Sequence, residues 1–313
     1  MGGRHQDGEH QGGVTLVRFA HVALNDLRSE DIMLPGQPSR TLLLAAICRA
    51  AHQLLDTPRI VEDPISIGLV PEASETAILA ALENHRARET IMLRSLIAMR
   101  TRFAEDQLAH AAARGVRQYV IIGLGLDTFA WRQPDFARTM RIFAADHLAS
   151  LAWTQVRFWE RGLPKPDNLT FVPVDLEERN LGECLAKAGF DPQVASFCSV
   201  LGVMQYLDHD AADAVLRFAA SLPLGSEIVF SFALPEDASN PDNLTRRPGS
   251  VAAAMGEPWK TRERPRDVID KLNQLGFREV FHLAPKVAQQ RYFAGRSDGL
   301  KAPQWDQLVA AIV

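Results

Sequence analysis

The sequence predicts an α/β fold: a mostly parallel, seven-stranded, Rossmann-like sheet with helices on both faces, preceded by added helices and closed by an antiparallel C-terminal hairpin. Three observations predict it. The first third of the chain carries apolar residues at helical spacing only. From Gln118 onward, short unbroken apolar runs alternate with helical patterns, the signature of parallel strands joined by crossover helices. The last two apolar runs lie too close together for another crossover helix.

Taken in order, residues 1–13 are rich in Gly, His and Gln, carry no periodicity and are expected to be a disordered tail. Residues 14–313 are expected to form one domain, with N-terminal helices over 14–115 and a ligand-binding core over 116–313. Ser39 can cap a helix in which Leu42, Leu43, Ala46, Ile47, Ala50 and Leu54 share a face until Pro58 stops it. Further helices are expected around Ala77–Leu82 and over Glu89–Ala112. Strands are expected at Gln118–Gly123, Arg141–Ala145, Leu169–Val174, Ala195–Leu201 and Glu227–Phe232. Helices between and after them are expected at Leu148–Arg161, Glu178–Ala188, His209–Leu222 and Arg266–Leu275. The closing hairpin is expected to pair Phe277–Leu283 with Gln289–Phe293 across Ala284, Pro285 and Lys286.

Composition narrows the function classes. Hydrophobic residues at 47% and charged residues at 23% provide a real core and exclude a mainly disordered chain. A net charge of -4, with both signs spread along the chain, offers no footprint for nucleic acid. No apolar run is long enough to span a bilayer, and the N-terminus lacks the apolar stretch of a signal peptide, so a cytoplasmic protein with no membrane partner is expected. Cys48, Cys184 and Cys198 are widely spaced in apolar contexts and read as core residues rather than a disulfide or metal framework. No histidine pattern indicates a metal site.

The residues that carry chemistry fall where strands end, which is where open parallel sheets bind ligands. In YVIIGLGLDTFAWR, Gly123 and Gly125 follow the first strand and permit close approach to the backbone. Asp127 either caps the next turn or accepts a hydrogen bond from an amino group. Asp146 ends the second strand about 20 residues later, the usual place for a carboxylate that accepts both ribose hydroxyls, and it also suits a helix cap. His147 reads as a packing or capping residue. Asp175 and Leu176, after the third strand, suit the amine and ring of an adenine, or a solvated cap. Gly202 and Tyr206 follow the fourth strand, where Tyr206 can stack, hydrogen-bond or simply pack.

These motifs together resemble the leucine carboxyl methyltransferase-like family, in particular its bacterial branch of S-adenosylmethionine-dependent methyltransferases, some of them polyketide O-methyltransferases. The resemblance runs from Ser39 onward through SRTLLLAAICRAAHQLLDTPRIVEDP, MRTRFAEDQL, QYVIIGLGLDTFAWR, ADH, FVPVDLE, LGVMQYL, GEPW, LGF and RYFAGRSDGL, in that order. It implies a class I methyltransferase fold and S-adenosyl-L-methionine as cofactor. It implies that Arg100 reaches the carboxylate of the cofactor's methionine part, with Arg102 the alternative, and that Gly123, Gly125, Asp146, Asp175 and Leu176 belong to the cofactor site, which Asp127 and Gly202 are expected to join by their positions after the first and fourth strands. Arg40 is a further candidate contact. Where the eukaryotic members have a glutamate before the glycine after the fourth strand, this chain has Leu201, which weakens any transfer of a protein-methylating activity.

The expected reaction is O-methylation of a carboxylate or phenolic hydroxyl on a small-molecule acceptor, in secondary metabolism. Methyl transfer is an in-line displacement in which positioning and water exclusion supply most of the acceleration, so a dedicated base need not exist. Residues 234–264 are too long for an ordinary connection and are expected to form an acceptor lid, with Tyr206, Met255 and Trp259 as candidate pocket residues. Two alternatives stand beside this. An NAD-binding oxidoreductase would also use glycines and an acidic partner, yet Thr128 stands where its fingerprint requires a third glycine. A catalytically inactive S-adenosylmethionine-binding protein would keep the pocket without turnover. Oligomeric state is not legible.

Overall fold

The computed structural model describes residues 39–70, 88–235, 249, 252, 253 and 255–313. The expected tail over 1–13 and the helix around Ala77–Leu82 lie outside the described residues. The described residues open with helix α1 (Arg40–Leu55), the short α2 (Ile65–Leu69) and the long α3 (Arg88–Ala113). The Ser39 hydroxyl accepts from Leu42 N at 3.2 Å, satisfying one of the orphan donors at the start of α1.

Five parallel strands follow: β1 (Gln118–Ile122), β2 (Arg141–Asp146), β3 (Leu169–Pro173), β4 (Ser196–Val200) and β5 (Glu227–Ala233). Between them lie α4 (Phe129–Arg132), α5 (Leu148–Glu160), α6 (Leu181–Lys187) and α7 (His209–Ala220). The carboxamide of Asn180 and the carboxylate of Asp208 cap α6 and α7. The chain ends with α8 (Pro265–Gln274), β6 (Glu279–Leu283), α9 (Pro285–Tyr292) and β7 (Asp306–Ile312). The seven strands run in the order β3-β2-β1-β4-β5-β7-β6, with β7 antiparallel to both neighbours.

β1, β4 and β5 are buried along their whole length, as their unbroken apolar runs require. Alternate residues serve two cores. Tyr119 and Ile121 pack with Phe103 and Leu108 of α3 on one face, whereas Val120 and Ile122 pack with Val215 and Leu216 of α7 on the other. The N-terminal helices thus share a core with the sheet. No helix among the described residues is long and apolar enough to cross a membrane.

One element differs from its expectation. Residues Gln289–Phe293 are not the second strand of the closing hairpin; they belong to α9 and its C-cap. Pro285 occupies the first turn of that helix, where its fixed φ and missing N–H cost nothing, and Ala288 faces the core. The true partner of β6 is the final apolar run LVAAIV, in β7, which lies between β5 and β6.

Candidate functional site

The carboxyl ends of the parallel strands form a rim, and the start of the antiparallel β7 adds to it because Asp306 is paired with Ala233 at the end of β5. Around this rim the chain assembles two groups of residues, one over β1 and β2 and one over β4, β5 and β7.

After β1, Gly123 and Gly125 adopt φ of +79° and +49°, which L side chains rarely take. The space a side chain would occupy at Gly123 is filled by Val203, whose Cγ2 lies 2.2 Å from that Cβ position. At Gly125 it is filled by Leu42, 3.3 Å away. Both glycines are thus closed on the face where a side chain would stand. Their missing side chains make room for protein, and a ligand would meet this turn by its backbone.

The turn is held from several sides. Gly125 N donates to Asp146 Oδ2 at 2.8 Å, Thr154 Oγ1 of α5 donates to Gly125 O at 2.8 Å, and Arg49 of α1 donates to Leu126 O at 2.8 Å. The other oxygen of Asp146 accepts from His147 N at 2.7 Å. Burial raises the Asp146 carboxyl above its ordinary range, and these two backbone bonds oppose the rise. The Ser150 side chain is a third donor to this carboxylate, which leaves it acceptor capacity for one more. Asp146 does not cap α5; that role falls to His147, whose ring nitrogen accepts from Ala149 N at 3.3 Å.

Two other carboxylates perform the local roles that spacing also allowed. Asp127 Oδ1 accepts from Phe129 N at 2.7 Å, and Asp175 Oδ1 accepts from Glu177 N at 3.0 Å. Both cap turns on the rim, and Leu176 beside Asp175 is half-buried against the second core. Thr128 is buried and donates to Asp63 Oδ2 at 2.7 Å.

The group over β4 centres on Arg100. Its guanidinium lies against Gly202, so close that a Cβ there would sit 2.2 Å from Nη1. Gly202 has φ of +74° and its N–H is fixed by Ser231 Oγ at 2.8 Å. Burial pulls the Arg100 cation down from its ordinary pKa, and Arg49 adds to this, while Asp306, Tyr206 and Asp127 oppose it. Among the described residues Arg100 forms no hydrogen bond or ion pair, and its side chain is half-buried on the rim. Arg102, the alternative, points away from the rim: it is exposed, bonded to Asp106 at 2.7 Å and to Ile60 O at 3.2 Å. The side chain of Arg40 lies outside the described residues.

Residues 255–264, the described end of the expected lid, are strapped over this part of the rim. Lys260 N and Thr261 N donate to Gln205 O, Thr261 Oγ1 to Met204 O, and Glu263 N to Ala233 O. Glu257 ties the strap to the start of α1, accepting from Ser39 Oγ at 2.7 Å and from Thr41 Oγ1. Beneath the strap, Met255 is buried, and Trp259 stacks on Trp305 with ring centroids 6.0 Å apart. Tyr206 is half-buried; burial raises its phenol, with the Thr41 and Trp259 side chains and the Arg100 cation opposing. The structure thus brings Arg100, Gly202, Tyr206 and Trp259 together, with Asp146 and the glycine turn beside them.

Sequence reasoning missed Val203, Leu42, Glu257 and Asp306. The first two are apolar residues with no chemical signature. Asp306 did carry a signal, a lone carboxylate at the head of the last apolar run, WDQLVAAIV.

The family description of leucine carboxyl methyltransferases matches residues 42–220, more than half the chain. A Bacillus subtilis protein named "Putative S-adenosyl-L-methionine-dependent methyltransferase YktD" is 29% identical over 293 residues, covering 86% of this chain and 96% of its own. Among solved structures, a DUF574-family protein of Streptomyces avermitilis shares the fold at TM-score 0.51 and 15% identity, over 85% of this chain and 96% of that one. A second, from Thermobifida fusca, does so at TM-score 0.52 and 15% identity, over 85% and 94%. The extent of the family match, which takes in α1, the glycine turn, Asp146, Arg100 and the end of β4, places this chain in the leucine carboxyl methyltransferase family.

Proposed function

We propose that this protein is an S-adenosyl-L-methionine-dependent O-methyltransferase acting on a carboxylate or phenolic hydroxyl of a small molecule in secondary metabolism. Family membership makes it a methyltransferase of the S-adenosylmethionine-dependent kind. The observation that carries the assignment of the site is the unpartnered Arg100 guanidinium held against Gly202, on the same rim as the Asp146 carboxylate. A half-buried arginine with a free fork suits the carboxylate of an amino-acid tail, and Asp146 retains acceptor capacity for a ribose hydroxyl beside its three donors. The residues present therefore fit the cofactor. When bound, it supplies an electrophilic methyl on a sulfonium.

The chain's own contribution is positional. Asp146 and Arg100 would fix the two ends of the cofactor, Gly202 allows the guanidinium to lie flat on the backbone, and the strap over residues 255–264 excludes water from the acceptor side. The test is calorimetric titration of dialysed protein with S-adenosylhomocysteine and with NAD. This is followed by mass spectrometry for a gain of one methyl across candidate metabolites supplied with S-adenosylmethionine. Binding of S-adenosylhomocysteine alone and a methylated product support the proposal; binding of NAD alone contradicts it.

A further inference from the structure

Three buried acceptor atoms under the strap have no hydrogen-bond partner among the described residues: both carboxylate oxygens of Asp306 and Gln205 Oε1. They share one place in the fold. Asp306 opens β7 beside the end of β5, Trp305 stacks on Trp259, and the backbone following Trp259 is bonded to Gln205 O. Asp306 is 1% exposed, so water does not solvate it. A buried carboxylate with no donor is costly, and a fold retains one where a functional partner completes it.

We propose that Asp306 is the proton acceptor for the methyl acceptor, and that the acceptor is therefore a hydroxyl compound, a phenol or alcohol, rather than a carboxylate. This rests on the methyltransferase reading above and narrows it. A carboxylate acceptor is already ionised at neutral pH and would be repelled by Asp306, whereas a hydroxyl donates to it. The acceptor's hydroxyl proton passes to a carboxylate oxygen of Asp306, and the freed oxygen pair forms the bond to the methyl carbon. The carbon–sulfur bond of the sulfonium breaks with its pair left on sulfur, giving an ether and a neutral thioether. Gln205 Oε1 remains to accept from another polar group of the acceptor, and the stacked indoles give it an apolar wall.

The electrostatic surroundings suit a base. Burial pushes the Asp306 carboxyl up to about 7, opposed only by the Arg100 cation of α3. The other charged groups packed nearby are engaged elsewhere: Glu257 holds Ser39 and Thr41, Arg262 lies over the Trp259 ring, Glu263 pairs with Lys271, and His282 of β6 bonds to Gln307. Tyr206, Arg49 and Asp127 act on Arg100 rather than on Asp306. A base titrating near the working pH combines ionisation with proton affinity.

The experiment uses the full chain and its Asp306→Asn variant. Both are titrated with S-adenosylhomocysteine, and both are supplied with S-adenosylmethionine and a panel of phenols, alcohols and carboxylic acids of matched size, read by mass spectrometry from pH 5 to 9. Carbon NMR of aspartate-labelled apo protein follows the carboxylate directly. The inference expects wild-type products confined to hydroxyl compounds, with turnover falling about tenfold per unit below pH ~7. It expects one carboxyl resonance titrating near that value that is missing from the variant. The variant should keep its S-adenosylhomocysteine affinity within about twofold and lose about 100-fold or more in turnover. Products confined to carboxylic acids, no product from any hydroxyl compound, or a variant with wild-type turnover and pH profile would overturn it. A folded wild type that does not bind S-adenosylhomocysteine would overturn the methyltransferase assignment itself, a result distinct from intact binding with Asp306 dispensable.

Discussion

Replacing Gly202 by alanine separates the stability of the rim from its grip on the cofactor. The added Cβ would lie 2.2 Å from Arg100 Nη1 and 2.9 Å from Cζ, so the guanidinium must retreat by about 1 Å or more to restore ordinary contact. The clash is with the far end of a long side chain and is relieved by its rotation. The lasting cost to the fold is the left-handed backbone at φ +74°, worth about 1–2 kcal/mol for a residue with a Cβ. The displaced arginine loses its alignment with a carboxylate, a charge-assisted fork worth about 1.5–3 kcal/mol. The expected outcome is a variant that unfolds at slightly lower denaturant and binds S-adenosylhomocysteine about tenfold to a hundredfold more weakly by calorimetry. Arg100→Lys keeps the charge and loses the fork, so it should weaken binding similarly without the loss of stability. Wild-type affinity in both variants would refute the placement of Arg100.

Asp146→Ala removes acceptors for Gly125 N and His147 N, so it should abolish detectable S-adenosylhomocysteine binding and also lower stability by about 1–3 kcal/mol, measured by urea unfolding. Asp306 is raised from 3.8 to about 7, so its protonated form favours the fold: that stabilisation is complete below pH ~4 and is lost as pH rises through ~7. Asp306→Asn should consequently be more stable than wild type at pH 8 by a few kcal/mol at most, with the gap closing toward pH 4; parallel unfolding curves across that window would contradict the linkage. Arg94 grips the buried Asp56 through Nη2 at 3.0 Å and Nε at 3.2 Å, and Arg94→Ala should cost about 1.5–3 kcal/mol in thermal or urea unfolding by leaving that carboxylate with the His52 ring at 2.8 Å. Glu257→Ala should speed amide hydrogen exchange at Thr41 and Leu42, because the strap no longer holds the start of α1.

The parallel part of the fold is legible because burial on both faces imposes unbroken apolar runs such as YVII, and caps such as Ser39 mark where helices begin. The closing strands are less so. QQRYF has strand-forming ends, yet Pro285 and a buried Ala288 make it helical, and the partner of β6 comes from the last residues of the chain. Local pattern cannot specify pairing at such separation. Within the site, Asp146 and Arg100 stand out by residue type and position, but the fill of the glycine turn by Leu42 and Val203 is a matter of tertiary packing and leaves no trace in spacing. Asp127 and Asp175 show the converse: carboxylates at strand ends that spend their acceptors on their own turns. Asp306 is visible as a carboxylate at the head of the last apolar run, but such a residue ordinarily meets water, and its burial follows only from the assembled fold.

The most direct test of the central claim, that this rim grips a sulfonium nucleoside at both ends, is a crystal structure of the protein with S-adenosylhomocysteine. The account predicts a ribose hydroxyl on Asp146 and the amino-acid carboxylate on the Arg100 fork beside Gly202. The same ligand bound away from these two residues, or Arg100 turned from its carboxylate, would contradict it.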